Sequence, residues 1–438
     1  SVGGRCEPTP PTSDPRPRPP APTPGPTLDR PRGTDHARTA HGDGARRPVV
    51  RHPGRGAAPS ANGRHGGAVR RDVVEQLLPV LAVLAGLVLL VVGAEGLVRG
   101  ASRLALAAGI TPVVIGLTVV AFGTSAPELA VSVGAALTGQ GEVALGNAIG
   151  SNVFNVLAVV GIAALFGSLV VHQRVVRIDV PLLVVVTGGL WWAAADGTIS
   201  ALEGGALVAG LLAYTVLALV LSRDEPADVL AEYEESIGDD PEAAKRTWPA
   251  AAGVLLVGLA GLVLGAQLLV GGATSLAEGL GVPDVVVGLT VVAIGTSLPE
   301  LVTSVVAVRR GELDIAVGNV VGSNLFNVLG VVGVAGLVGG GLEVPAQVLS
   351  TDLPVVALTT LVALPVLATG LLVRRWEGAL LVAGYLGYTG LQVLLATGSD
   401  AAGPARTALL VGIAGIAAAT VLVGLRARAR RQLESADD

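Results

Sequence analysis

From about residue 72 onward the chain is a train of apolar stretches, each long enough to cross a bilayer and separated by short breaks. In hydrocarbon every backbone N–H and C=O must find a partner within the protein, which restricts such stretches to helices. About 20 mostly apolar residues suffice for one crossing. The stretches fall near 73–97, 110–138, 143–169, 178–196, 201–221, 248–272, 284–308, 313–338, 352–372, 378–396 and 406–425. The expectation is an all-α polytopic membrane protein with eleven spans. A charged fraction of 14% agrees, since soluble domains carry roughly 25%.

The chain also contains itself twice. Residues 116–129 read GLTVVAFGTSAPEL and residues 288–301 read GLTVVAIGTSLPEL; residues 146–157 read GNAIGSNVFNVL and residues 318–329 read GNVVGSNLFNVL. Both pairs are offset by 172, and polar positions match as well as apolar ones, so a shared taste for valine is no explanation. Equivalent spans are five crossings apart. Five is odd, so the two halves enter the membrane from opposite sides, the inverted-topology arrangement of alternating-access transporters. The expected organisation is a Pro/Arg-rich tail (1–71), a first five-helix repeat (72–221) and an acidic linker (222–247). A second five-helix repeat (248–396) and an extra span with a basic end (397–438) complete it.

Charge in the short loops sets the orientation. With the acidic linker inside, the inner loops hold Arg99, Arg103, Arg174, Arg177, Arg223, Lys245, Arg246, Arg309, Arg310, Arg374 and Arg375, and the C-terminus adds Arg426, Arg428, Arg430 and Arg431. The outer loops hold little that is basic beyond Arg406. That bias follows the positive-inside rule and places linker and C-terminus in the cytoplasm of a cell-membrane protein. The tail, with thirteen arginines against five acids, runs against it. Its composition predicts disorder, and it is read as a solvated extension, with no nucleic-acid role. The chain has no methionine, and a native start near residue 69 is expected; an intact mass that included residues 1–71 would contradict this. Cys6 is the one cysteine, and no Cys/His cluster suggests a transition-metal site.

The chemistry sits in four polar spans. Glu128 and Glu300 occupy equivalent places inside apolar stretches. An ionisable group there costs about 2.5–3.5 kcal/mol even on insertion scales and marks a functional site. Two carboxylates converging from opposite halves repel unless cations stand between them. One divalent ion offsets both charges, as would two monovalent ones, which is a physical basis for Ca2+ competing with Na+ or H+. Both metal ions are hard and take oxygen ligands. Thr124 and Thr296 lie four residues before each acid, on its helix face, and Ser125 and Ser297 add hydroxyls. Pro127 and Pro299 lack the N–H that would bond Gly123 and Gly295, loosening the helix there. On the following spans Asn147, Ser151 and Asn155, and again Asn319, Ser323 and Asn327, recur every four residues as neutral donors suited to Na+ or to helix packing. Asn152, Asn324, Thr118 and Thr290 are read as packing groups, and Glu95, opposite a neutral Gln267, as interfacial. Asp179-x-Pro181 and Asp352-x-Pro354 are read as helix starts with capping aspartates.

At these motifs, over about 76–396, the sequence resembles the sodium/calcium exchanger integral membrane family of the cation/Ca2+ exchanger superfamily. The resemblance implies ten core helices in two inverted halves and exchange of several Na+ for one Ca2+. It implies that Glu128 and Glu300 ligate the central ion, with carbonyls and hydroxyls at Ala121, Thr124, Ser125, Ala293, Thr296 and Ser297. Ser151, Asn155, Ser323 and Asn327 match the remaining polar ligands. It further implies that the first and sixth spans move across a fixed core. Some close exchangers carry aspartate where this chain has Asn327, so the pocket holds at most two fixed negative charges and H+ stands as the alternative coupling ion. The expected function is therefore secondary antiport of Na+ and Ca2+ by alternating access, with inorganic cations and membrane lipid as partners, no cofactor and no enzymatic step. Oligomeric state is left open.

Overall fold

A computed structural model describes residues 65–222, 241–282 and 293–437. Most of the tail and the linker, Thr290 and the first half of the seventh expected span lie outside the described residues. Eleven helical segments follow the apolar stretches. The first is α1 (Leu77–Ala108). The second is broken, with α2 (Pro112–Thr124) and α3 (Ala126–Leu137) meeting at 46°. Then come α4 (Gly141–Phe166), α5 (Val175–Asp196), α6 (Ala201–Ser222) and α7 (Lys245–Gly279). The seventh span shows its described part as α8 (Ala293–Thr296) and α9 (Leu298–Arg310). The series ends with α10 (Leu313–Val338), α11 (Val348–Leu371), α12 (Arg375–Ala396) and α13 (Ala402–Arg426). Among the described residues, nine of these helices are long and apolar enough to cross alone, and the broken pair makes ten.

Burial separates core from rim. The most apolar windows of α4 and α10 are 78% and 89% buried, whereas those of α1, α5, α6, α7, α12 and α13 lie between 17% and 33%. The helices carrying the Asn/Ser stripes are thus the centre of the bundle, and the others turn a face to lipid. This is why α4 and α10 can hold asparagines at all: Asn152, Asn155, Asn319, Asn324 and Asn327 are fully buried, where hydrocarbon does not reach them.

Helix α1 lies antiparallel against α7 along a stripe of glycines spaced by seven: Gly86, Gly93 and Gly100 on one, Gly258, Gly265 and Gly272 on the other. Each pair is related by the same offset of 172. Helices so paired approach backbone to backbone. The glycines therefore lie where a side chain has no room.

Among the described residues the fold is helical apart from two antiparallel ladders. β1 (Leu169–Val170) pairs with β4 (Leu372–Val373), and β2 (Thr198–Ser200) with β3 (Gly341–Glu343). Each ladder joins loops separated by an even number of crossings. The pairing therefore agrees with the span count, since loops on opposite faces of a membrane cannot hydrogen-bond. Within α1, Glu95 accepts from Arg99 (2.9 Å) and pairs with Arg310 at the end of α9, again joining groups expected on one face.

The two Asp-x-Pro motifs do something other than capping. Asp179 and Asp352 close π-helical turns, Val175–Asp179 and Val348–Asp352, and have helical dihedrals with no cap hydrogen bond. The proline does sit in the first turn of the regular helix that follows. Each buried aspartate instead accepts from a tyrosine on the next span: Tyr214 to Asp179 and Tyr388 to Asp352, both at 3.1 Å.

Candidate cation site

The Gly-Thr-Ser-x-Pro-Glu motif breaks its helix in both halves. Proline cannot donate to the preceding turn, and the break falls at Ser125 (φ −86°, ψ 8°) and Ser297 (φ −93°, ψ 8°), each followed by proline within the first turn of the next segment. The break releases the serine and threonine side chains from the helix surface and starts α3 and α9 with their glutamates in the first turn. An N-terminal turn is where the macrodipole favours negative charge.

The two halves then complete each other. Ser125 Oγ donates to Glu300 Oε1 (2.8 Å), and Ser297 Oγ donates to Glu128 Oε1 (2.9 Å). Thr124 Oγ1 donates to Asn319 Oδ1 (3.0 Å), and Thr296 Oγ1 approaches Asn147 Oδ1 at 3.5 Å. Each asparagine returns two bonds within its own half. Asn147 Nδ2 reaches the Glu128 carbonyl (3.2 Å) and Ser132 Oγ (3.0 Å). Asn319 Nδ2 reaches the Glu300 carbonyl (3.2 Å) and Ser304 Oγ (3.0 Å). Every bond has its counterpart 172 residues away. The glutamates, Thr124, Ser125, Ser297, Asn155, Ser323 and Asn327 are 0% exposed.

Ser151 and Ser323 join the same cluster: Ser297 Oγ lies 3.0 Å from Ser151 Oγ, and Thr124 Oγ1 lies 3.4 Å from Ser323 Oγ. Asn155 and Asn327 open π-helical turns, Asn155–Val159 and Asn327–Val332, irregularities that concentrate at functional sites. Here the symmetry fails. Asn327 Nδ2 donates to Asn152 Oδ1 (3.0 Å), and Asn152 Nδ2 to the Asn324 carbonyl (3.1 Å), while neither amide atom of Asn155 has a protein partner. The Ala121 carbonyl accepts from Ser125 N–H (3.1 Å) and from Thr124 Oγ1 (3.4 Å), whereas Ser297 N–H donates to the Ile294 carbonyl (3.1 Å). Of Ala293 the backbone is helical, and its side chain lies outside the described residues.

Several buried oxygens remain unsatisfied: Glu128 Oε2, Glu300 Oε2, Asn155 Oδ1 and Asn327 Oδ1. A buried acceptor without a donor costs about 1–3 kcal/mol, more when charged. Free oxygens on both carboxylates, with two more on amides four residues past Ser151 and Ser323, are a poor way to build helix contacts and a suitable set for hard cations, which need oxygen lone pairs and supply no donor. No group of three His, Cys, Asp or Glu is found among the described residues, so two carboxylates and neutral oxygens make up what the cluster offers.

The two sides of the cluster differ in access. Thr124 and Asn319 are 0% exposed, but Asn147 and Thr296 are half-buried. These two and Ser151 line a cavity of about 590 Å³ that runs past Tyr385, Tyr388 and Asp352 to a rim at Glu142, Pro345 and Gln347.

Comparison with known proteins accords with this construction. CaxA of Alkalimonas amylolytica is 39% identical over 71% of this chain and 98% of its own. Sodium/calcium exchanger MaX1 of Methanosarcina acetivorans is 33% identical over 70% and 96%. A solved structure of the sodium-calcium exchanger NCX_Mj superposes with a TM-score of 0.62 at 28% identity, covering 73% of this chain and 99% of that one. The sodium/calcium exchanger protein family matches residues 78–220 and 250–394, one segment on each half, and this polytopic membrane chain belongs to it.

Proposed function

We infer that the protein is a secondary antiporter that exchanges Na+ for Ca2+ across its membrane by alternating access. The transported ion is held between Glu128 and Glu300. One observation carries the assignment of the site: each glutamate is fixed by a serine of the opposite half, and each leaves its second oxygen buried and free. The serines set the spacing and orientation of the carboxylates, and a Ca2+ ion replaces its lost water with those oxygens, the Thr124, Thr296, Ser151 and Ser323 hydroxyls and the Ala121 and Ala293 carbonyls. Asn155 and Asn327, neutral and with unpaired amide oxygens, suit Na+. Because the flanking groups are uncharged, the pocket's charge is that of two carboxylates. It accommodates one divalent ion or two monovalent ones but not both, which is the physical basis of exchange rather than co-transport.

The unequal exposure of the Asn147–Thr296 and Asn319–Thr124 pairs supports a state open on one face. Residues 72–221 and 248–396 act as the two repeats. The loop charges place linker and C-terminus in the cytoplasm, so the open face is the outer one. In a Cys6→Ser background, Asn147→Cys and Thr296→Cys should then react with a membrane-impermeant thiol reagent added outside. Asn319→Cys and Thr124→Cys should not. Labelling from the cytoplasmic side alone would reverse the orientation.

Na+ coupling is tested by Ca2+ uptake into proteoliposomes under separate Na+, K+ and H+ gradients. Uptake should follow an outward-directed Na+ gradient. Uptake driven by a pH gradient without Na+ would assign proton coupling instead.

A further inference from the structure

The aspartate–tyrosine pair occurs once in each half, but with different surroundings. In the first half, Asp179 and Tyr214 share one electrostatic cluster with Arg174. Arg174 is itself buried and donates through Nη2 to the Ala218 carbonyl (2.9 Å). In the second half Gln347 stands where Arg174 would, five residues before the aspartate. Asp352 Oδ1 accepts from Tyr388 (3.1 Å) and from Gln392 Nε2 (2.5 Å). Among the described residues no basic side chain pairs with Asp352; Arg406 donates instead to the Ser350 carbonyl (3.2 Å). Asp179 is 0% exposed. Asp352 lines the cavity that leads to Asn147, Ser151 and Thr296.

We propose that Asp352 is a staging residue for the transported cations, on the cavity side only. This rests on the exchanger reading above. A carboxylate held by two neutral donors keeps its orientation without being neutralised. Set in a narrow cavity with low-dielectric walls, its field is focused toward the opening and raises the local concentration of Na+ and Ca2+. The ion exchanges part of its water for Asp352, with the Thr389 hydroxyl and Ser151 further along the same wall, and then moves on to Glu128 and Glu300. Arg174 cancels the equivalent attraction at Asp179, so the two faces of the exchanger load with unequal affinity from one nearly symmetric site.

The test is Ca2+ flux in oriented vesicles, with Ca2+ varied on one face at a time. Asp352→Asn should raise half-saturating Ca2+ on the cavity face by about tenfold and leave the maximal rate and the opposite face unchanged. Asp352→Glu should recover most of the loss. The wild-type advantage should shrink as choline chloride is added, because exposed fields are screened. Gln347→Arg installs the first half's cation without removing any hydrogen bond to Asp352 and should give the same one-sided rise, so it decides the matter if Asp352→Asn does not fold. Unchanged affinity in Gln347→Arg, or an equal shift on both faces in either variant, would overturn the proposal while leaving exchange intact. Absence of Na+-driven Ca2+ flux in the wild type would instead overturn the exchanger reading.

Discussion

Glutamine at position 128 or 300 should abolish Na+-gradient-driven Ca2+ flux in everted membrane vesicles while leaving the protein folded in the membrane. The amide keeps the shape of the side chain and an oxygen to accept the serine hydroxyl of the opposite half, so the contacts at 2.8 and 2.9 Å persist. What disappears is one of the two charges that offset a divalent ion in a fully buried pocket. Breaking a buried charge pair by removing one partner costs roughly 3–5 kcal/mol, which is more than about a hundredfold in affinity. Because the two glutamates are equivalent across the pseudo-two-fold, both substitutions should be equally severe, and the double variant no worse than either. Aspartate at either position retains the charge but shortens the reach, so partial flux with weakened Ca2+ affinity is expected. Near-normal flux in Glu128→Gln or Glu300→Gln would place the ion elsewhere.

How much of this was legible depends on whether a residue's role is written in its own half. Glu128 and Glu300 stand out because charge in an apolar span is costly wherever it falls, and the 172-residue offset pairs them. The same offset also pairs Ser132 with Ser304, the partners of Asn147 and Asn319, and pairs Gly86, Gly93 and Gly100 with Gly258, Gly265 and Gly272. Those could have been found by extending the repeat search beyond the two long motifs. The aspartates could not be read correctly from local pattern. Asp-x-Pro is a good capping signature, but a π turn carries the helix back past the aspartate, and its acceptor role depends on tyrosines 35 and 36 residues away. The reciprocal serine-to-glutamate bonds were likewise out of reach, since each crosses between halves at a distance the sequence does not encode. Broken symmetry at Asn155 and Asn327 was hidden for the opposite reason: the two motifs are nearly identical in sequence, and only packing distinguishes them.

Adding a single methyl group at Gly93 should slow exchange without preventing ion binding. A Cβ there would lie 2.7 Å from the Gly258 carbonyl oxygen and 2.7 Å from the Leu262 amide nitrogen. Both are backbone atoms that cannot rotate aside, so α1 and α7 must separate. Overpacking of this kind costs about 1–3 kcal/mol. Glutamates and serines sit on other helices, so Ca2+ binding to Gly93→Ala in detergent should match the wild type. If α1 and α7 cross the core together during the transport cycle, the lost contact raises the barrier, and the exchange rate falls by roughly ten- to a hundredfold. Gly93→Leu should go further and lower the thermal midpoint of the purified protein. Gly253, on the partner helix α7 but with open space around its would-be Cβ, is the control: Gly253→Ala should behave as wild type. Equal rates for Gly93→Ala and Gly253→Ala would mean that the glycine stripe only fills space, and that the two helices do not move as a unit.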